Sequence, residues 1–235
     1  MSLVNEDLCV GCGTCTHYCP MGAISLQDKK AVVNQDECVE CGMCSENPIC
    51  PVGAISQPES FPWPRVLRAE YSNPRCTHKT GVTGRGTEEM KTNDVTNRFQ
   101  FGRLGIGVEL GRPGTGARFR DFEKVAMAFA KIPGVVFEEK NPVEALFIDE
   151  AKHIREDVLN EKVLSGIVEI TIPEEQLECA LNLLKEVEPE LETVCSVDLI
   201  SRVQPDGSIP ALDVVRRMGL YVSPNCKTNL GLGRV

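Results

Sequence analysis

The chain has 235 residues, of which 25 are Lys or Arg and 34 are Asp or Glu, and its formal net charge is −9. This length allows one large domain or two ordinary ones, and the acidic balance argues against a nucleic-acid role. The sequence has no leading run of signal-peptide type and no stretch of about 20 apolar residues, so we expect a cytoplasmic protein without a membrane span.

Eight of the twelve cysteines fall within the first 56 residues, in two runs of matching spacing. Three cysteines at two-residue gaps, followed by a fourth directly before proline, are the spacing by which thiolates hold a cubane iron–sulfur cluster. Twelve cysteines without an export signal also favour metal ligation over disulfides. The first run consists of Cys9, Cys12, Cys15 and Cys19, and the second of Cys38, Cys41, Cys44 and Cys50.

The two runs belong to an internal repeat, because residues 19–25 correspond to residues 50–56 almost position by position. The copies are offset by 29 residues up to the third cysteine of each run and by 31 from the fourth, so the second copy carries a two-residue insertion. The alternatives are a structural zinc site or a disulfide framework. Paired zinc sites would not need the repeated Cys-Pro step, and their ligands usually come as separated pairs.

With these motifs, residues 1–56 resemble the bacterial-type two-cluster 2[4Fe-4S] ferredoxin family. In that family the cysteine before proline in each run ligates the cluster of the other run. The resemblance therefore implies two [4Fe-4S] clusters that pass single electrons at low potential. It implies that Cys9, Cys12, Cys15 and Cys50 bind the first cluster, and that Cys38, Cys41, Cys44 and Cys19 bind the second.

Beyond the repeat the composition changes, and we predict three parts in the chain. They are a ferredoxin domain over 1–60, a Pro-rich and then Gly/Thr/Arg-rich linker and loop over 61–101, and a domain with an irregular tail over 102–235. The prolines of residues 57–76 predict an extended connector, because proline cannot continue a helix or a sheet. Residues 61–120 hold 11 basic and 5 acidic side chains, so this segment is where we expect an anionic ligand or partner.

The C-terminal part has a strand–helix–strand pattern twice. Alternating apolar residues predict the strands, and apolar residues three or four positions apart predict the helices. The predicted strands are 106–110, 135–138, 166–172 and 193–203, and the predicted helices are 119–131, a segment within 142–161, 173–188 and 211–218. We therefore predict an α+β protein whose residues 102–204 form a βαββαβ sandwich, the split-βαβ or ferredoxin-like arrangement. This topology resembles ligand-sensing domains of the ACT family.

A glycine-rich loop between a predicted strand and helix is a candidate anion-binding site, because backbone N–H groups converge at such positions. Its residues are Gly111, Arg112, Gly114, Gly116 and Arg118. The spacing matches neither the dinucleotide fingerprint nor a P-loop. The alternative is therefore a glycine-rich turn with solvated arginines.

Four cysteines lie outside the two runs. Cys179 and Cys195 fall in a predicted helix and strand, where small apolar residues of the core are expected. Cys76 and Cys226 fall in polar loops, and a third metal site formed by them with His78 has no spacing signature.

From these patterns we expect an iron–sulfur electron-transfer protein without catalytic residues of its own. It would be a ferredoxin-type subunit, or a dedicated electron donor or acceptor, of a larger anaerobic oxidoreductase, with the C-terminal domain for docking to this protein redox partner. One alternative is an iron–sulfur enzyme acting on an anionic small molecule held near Arg112 and Arg118. Another is a redox- or metabolite-responsive regulator with an ACT-like sensor domain. An exposed sheet edge would favour a homodimer.

Overall fold

The computed structural model describes residues 1–76, 98–112 and 114–224. Most of the Gly/Thr/Arg-rich loop and the irregular tail that we predict from the sequence lie outside the described residues. Within these ranges, no helix combines the length and the apolar character that a membrane span requires.

The N-terminal part consists of short elements around the cysteines. Strand β1 (Leu3–Val4) pairs antiparallel with β4 (Ile55–Ser56), and β2 (Ile24–Gln27) pairs with β3 (Lys30–Val33). Between β2 and β3, Asp28 and Lys29 have φ values of 49° and 61°, as a tight hairpin turn requires. Helix α1 (Thr14–Tyr18) carries one cysteine and ends at the next. The pairing of β1 with β4 joins the two ends of the internal repeat.

The predicted extended connector is wrong over helix α2 (Val66–Ser72). The first three prolines of this segment end at Pro64, before the helix, and the fourth, Pro74, follows it, so none of them removes a helical hydrogen bond. Leu67 and Tyr71, four positions apart, are buried in the main hydrophobic core. The Tyr71 hydroxyl donates to the carbonyl of Pro142 at 2.5 Å, so α2 packs as part of the C-terminal core.

The C-terminal part is built on a four-stranded antiparallel sheet. Its strands are β5 (Arg103–Leu110), β7 (Val136–Phe137), β9 (Gly166–Pro173) and β10 (Cys195–Ile200), in the spatial order β10–β5–β9–β7. A separate two-stranded ladder pairs β6 (Ala117–Arg118) with β8 (Lys162–Val163).

Three helices accompany this sheet, and two of them lie between its strands in the chain. Helix α3 (Phe119–Phe129) follows β6, α4 (Leu177–Val187) follows β9, and α5 (Pro210–Arg217) follows β10. Helix α3 contacts α4, β5 and β9, and its apolar face is completely buried. The described residues thus mix helices with sheets in one α+β protein. The largest fully buried side chains of this core are Phe119, Phe122, Phe129, Leu104, Ile106, Leu110, Ile170, Ile172 and Leu177.

The helix that we predict within 142–161 is absent. Only two single turns of 3₁₀ helix occur there, Glu144–Leu146 and Glu156–Val158. Between them the Asp149 carboxylate accepts the backbone N–H of His153 at 3.0 Å, and Lys152 has a φ of 70°. An aspartate that bonds the nearby backbone in this way competes with helical hydrogen bonding. The helix predicted to begin at Pro173 begins later, because Pro173 is the last residue of β9.

Replacing Phe122 by Ala is expected to lower the free energy of unfolding by ~3–5 kcal/mol, because the ring is fully buried and leaves a cavity. Chemical denaturation followed by circular dichroism measures this loss. The control is Phe101→Ala, since Phe101 is 55% exposed and its ring lies 5.2 Å from the Arg202 guanidinium; this substitution should cost about 1 kcal/mol or less. Equal losses in the two variants would contradict the position of Phe122 in the core.

Candidate metal centres

Two cavities lie in the N-terminal part, and four cysteines line each of them. The first holds about 330 Å³ of empty space, including its open mouth, and the second about 360 Å³. Each cavity takes three cysteines from one run and the cysteine before proline from the other. Cys9, Cys12, Cys15 and Cys50 line the first cavity, and Cys38, Cys41, Cys44 and Cys19 line the second.

Glycines allow the chain to turn tightly around the first cavity. Gly11 has a φ of 67°, and a Cβ at this position would lie 2.1 Å from the carbonyl oxygen of Lys29. Only glycine fits such a close approach of two backbone segments. Gly13, with a φ of 76°, then precedes helix α1, which positions Cys15 in the cavity wall.

Backbone N–H groups point at several of the sulfurs. The Ala23 N–H donates to the Cys19 sulfur at 3.2 Å, and the Ala54 N–H donates to the Cys50 sulfur at 3.2 Å. These two bonds are equivalent in the internal repeat, because each runs from the residue four positions after the cysteine that precedes proline. The Ala31 N–H donates to the Cys9 sulfur at 3.4 Å. Hydrogen bonds of this kind favour the thiolate and tune a bound iron–sulfur cluster.

The electrostatics of the thiols fit a cationic, soft metal core. Burial, together with the neighbouring Cys38 and Cys41 sulfurs, raises the pKa of the Cys44 thiol to about 12. Burial also raises the pKa of Cys15, Cys38 and Cys41. A metal core bound among these sulfurs would supply the positive charge that favours their deprotonated form. The pKa of Cys12 shifts in the opposite direction, because a hydrogen bond with the Thr14 hydroxyl lowers it.

Four thiols converge on each cavity. Among the described residues, no three or more His, Cys, Asp or Glu side chains are arranged to hold a single metal ion. Four soft sulfur donors are the ligand set of an iron–sulfur cubane.

Residues 1–52 match the family model of the 4Fe-4S dicluster domain. The chain thus carries an N-terminal 4Fe-4S dicluster domain, which confirms the ferredoxin-type resemblance for this segment. The match implies binding of a 4Fe-4S cluster and supports an iron–sulfur electron-transfer role. Searches among curated proteins and among solved structures gave no match.

A buried carboxylate lies within the dicluster domain, beside the second cavity. Glu40, between Cys38 and Cys41, is completely buried. Its carboxylate accepts the Ser2 hydroxyl at 2.6 Å and the Arg65 Nε–H at 2.7 Å. Burial by itself would raise the pKa of Glu40, but the bonds from Ser2 and Arg65 outweigh it and hold this pKa below its usual value. Glu40 was not predicted from the sequence, where only its position between two cysteines points to it.

Ion pairs join the same loop to the C-terminal part. Arg118 pairs with Asp36 at 2.7 Å and donates to the carbonyl of Asn160 at 2.6 Å. Lys162 pairs with Glu37. Hydrogen bonding from Arg118 lowers the pKa of the Asp36 carboxyl. Two basic residues of the C-terminal part therefore bind two acidic residues of the dicluster domain.

The predicted anion-binding loop is largely engaged within the chain. Besides the pairing of Arg118, Arg112 pairs with Glu109 at 2.8 Å. The backbone N–H groups of Thr115 and Gly116 donate to the carbonyl of Gly111, and Gly111, Gly114 and Gly116 all have positive φ. This arrangement is a glycine-rich turn with paired arginines, and anion binding stays a prediction.

The glycine loop also lies close to the second cavity. A Cβ at Gly116 would come within 2.5 Å of the Met21 side chain, and one at Gly114 within 3.8 Å of the Pro20 carbonyl. Pro20 and Met21 line the second cavity. This contact could not be predicted, since nothing in the sequence pattern relates the loop to the cysteine runs.

The cysteines outside the two runs have different environments. Cys195 is half-buried and packs against the main core. The prediction that Cys179 is a core residue is wrong, because the buried face of α4 consists of Leu177, Ala180, Leu181 and Leu184 and leaves Cys179 exposed. Cys76 is half-buried, whereas His78 and Cys226, its partners in the predicted third metal site, lie outside the described residues.

The Gly11→Ala variant is expected to retain about half of the iron of the unmodified chain, because the added methyl group displaces the loop of the first cavity and leaves the second intact. The matched control is Gly53→Ala. Gly53 has a similar φ of 61°, but its Cβ would meet nothing within 4 Å. Iron and sulfide analysis of anaerobically reconstituted protein separates the clash from the backbone strain. Equal iron loss in both variants would contradict a specific role of Gly11.

Proposed function

We propose that this protein holds two [4Fe-4S] clusters, the first on Cys9, Cys12, Cys15 and Cys50 and the second on Cys38, Cys41, Cys44 and Cys19. The observation that carries this proposal is the exchange of one thiol between the two cavities. It reproduces the pattern by which two-cluster ferredoxins ligate their clusters. A bound [4Fe-4S] cluster supplies a one-electron couple whose potential depends on hydrogen bonds to the sulfurs and on solvent exposure.

The chain's own residues would keep the two centres close together and surrounded by apolar side chains. Ile24, Ala31, Ala54 and Ile55 form one small core with Cys9 and Cys15. Members of this core line both cavities. At the first cavity, Cys12 is exposed and Val10 is 65% exposed. This side offers a redox partner a short approach to the first centre.

We propose that the protein is a ferredoxin-type subunit, or a dedicated electron donor or acceptor, of a larger anaerobic oxidoreductase. The C-terminal domain, residues 102–235, would dock to that enzyme, with residues 61–101 as the connecting segment after a dicluster domain over 1–60. Within the described residues, β10 pairs only with β5, and Val197 on this edge strand is 43% exposed. An edge of this kind is suited to pairing with a partner strand or with a second copy of the chain.

For the C-terminal domain we propose the split-βαβ sandwich. The antiparallel order β10–β5–β9–β7 supports it. Along the chain, α3 lies between β5 and β7, and α4 lies between β9 and β10. Within this plan β7 is only two residues long, and the small β6–β8 ladder is an addition to it.

Pairs of cysteine substitutions test the ligand sets. Cys12→Ser and Cys50→Ser should each remove about half of the iron, and the double variant should lose no more, because both residues would serve the first cluster. Combining Cys12→Ser with Cys19→Ser should remove nearly all of it. Iron analysis and the electron paramagnetic resonance spectrum of the reduced protein give the readout. Cys195→Ser is the control, and a further loss in the Cys12/Cys50 double variant would refute the exchange.

Anaerobic affinity purification from the source organism tests the docking role. We expect a stoichiometric oxidoreductase subunit to co-purify, and a Val197→Lys substitution on the exposed edge strand β10 to reduce its recovery. If the full chain emerges alone with its clusters intact, the docking proposal is wrong.

A further inference from the structure

The loop before the first cysteine has the same conformation in both copies of the internal repeat. In the first copy the Asn5 side chain accepts the N–H of Asp7 at 3.0 Å, and the Cys9 N–H donates to the Asn5 carbonyl at 3.0 Å. In the second copy Asn34 makes the same bonds, to Asp36 and to Cys38, at 3.0 Å each. The two loops are therefore equivalent in structure as well as in sequence, at an offset of 29 residues.

A basic side chain binds equivalent carbonyl oxygens in each of the two loops, but the two side chains belong to different parts of the chain. In the first loop the Lys30 ammonium donates to the carbonyls of Glu6 and Cys9, at 2.7 Å each. In the second loop the Arg68 guanidinium donates to the carbonyls of Gln35 and Cys38, at 3.1 and 2.9 Å. Gln35 and Cys38 are the counterparts of Glu6 and Cys9. Both loops thus have a positive charge at the same backbone site.

The second copy has no lysine of its own for this role. At the two offsets of the repeat, the counterpart of Lys30 is Glu59 or Phe61, and neither is a cation. Arg68 instead reaches the loop from helix α2, outside the repeat. It is 4% exposed, and it also donates to the Asp36 carbonyl at 2.7 Å.

The charge of Arg68 is balanced by the C-terminal part. Glu161 pairs with the Arg68 Nε at 2.5 Å, and both side chains are nearly buried. Charges that are shielded from water act more strongly on their neighbours than exposed ones do. Lys30, by contrast, lies in β3 within the dicluster domain. The C-terminal part therefore reaches the second loop through Arg68.

We propose that Arg68 is a positioning residue for the second cluster, the counterpart of Lys30 at the first, and that the Arg68–Glu161 pair makes the reduction potential of the second cluster alone depend on the C-terminal part. This inference rests on the proposed two-cluster function. A reduced cluster is more negative than an oxidised one, so a nearby positive charge favours reduction, and removing that charge lowers the potential.

Protein-film voltammetry on the reconstituted full-length chain tests this proposal. Arg68→Met should shift one of two reduction waves to more negative potential and leave the other in place. Glu161→Gln should shift the same wave to more positive potential, because it leaves the Arg68 charge unbalanced. Lys30→Met should shift the other wave to more negative potential. Opposite shifts from the two members of one ion pair cannot come from mere loosening of the fold.

Two further variants serve as controls. Arg68→Lys keeps the charge and should return the wave towards its original position. Arg217→Met removes an arginine that pairs with Glu178 on the exposed surface, at 62% and 53% exposure, and should move neither wave. If the Arg68→Met variant does not hold the second cluster, its iron content should fall by about half, and this loss also supports the positioning role of Arg68. The effect of the ion pair on the reduction potential is then decided by the shift in the Glu161→Gln variant.

Three results would overturn the proposal: Arg68→Met moving both waves equally, Arg68→Met and Lys30→Met moving the same wave, or Glu161→Gln shifting in the same direction as Arg68→Met. These failures differ from failure of the proposed function. An unmodified chain that binds only one cluster by iron and sulfide analysis would contradict the two-cluster function itself.

Discussion

Each cavity of the dicluster domain takes its fourth thiol from the other cysteine run, and the rest of this domain depends on that exchange. Cys19 must reach the second cavity and Cys50 the first, so neither copy of the repeat can complete a site alone. The antiparallel pairing of Leu3–Val4 with Ile55–Ser56 holds the ends of the two copies together. Each site therefore needs residues of both copies of the repeat to be in place before it can bind its cluster.

Helix α2 extends this dependence into the rest of the chain. Its apolar side chains, Leu67 and Tyr71, belong to the C-terminal core, whereas Arg68 on the same short helix binds carbonyls of the dicluster domain. One helix thus contributes to both parts through opposite kinds of contact. The ion pairs of Arg118 and Lys162 with Asp36 and Glu37 add to the same interface. Leu67 and Tyr71 fix α2 to the C-terminal core, and the buried Arg68 extends this attachment to the dicluster domain.

The sequence was most informative where covalent geometry limits the choices. The cysteine spacing carried the resemblance to two-cluster ferredoxins, and that resemblance implied the grouping of thiols seen around each cavity. Periodicity located α3, whose buried phenylalanines recur at helical spacing. Periodicity wrongly predicted a helix within 142–161, where Asp149 bonds the local backbone. It did not reveal α2, because prolines lie directly before that helix. The buried pairs Glu40–Arg65 and Arg68–Glu161 could not be predicted, since partners 25 and 93 positions apart leave no local pattern.

Arg68 lies outside the internal repeat, and its position decides whether the dicluster domain can be separated from the rest of the chain. A family of small domains is often treated as a set of interchangeable modules that can be transplanted between proteins. Here a graft of residues 1–60 onto another scaffold would carry Lys30 with the first loop but leave behind the cation of the second. The two copies of the repeat are alike in sequence, yet only the first contains the cation of its own loop. The residues that support the two cluster loops thus extend beyond residues 1–52, which match the family model.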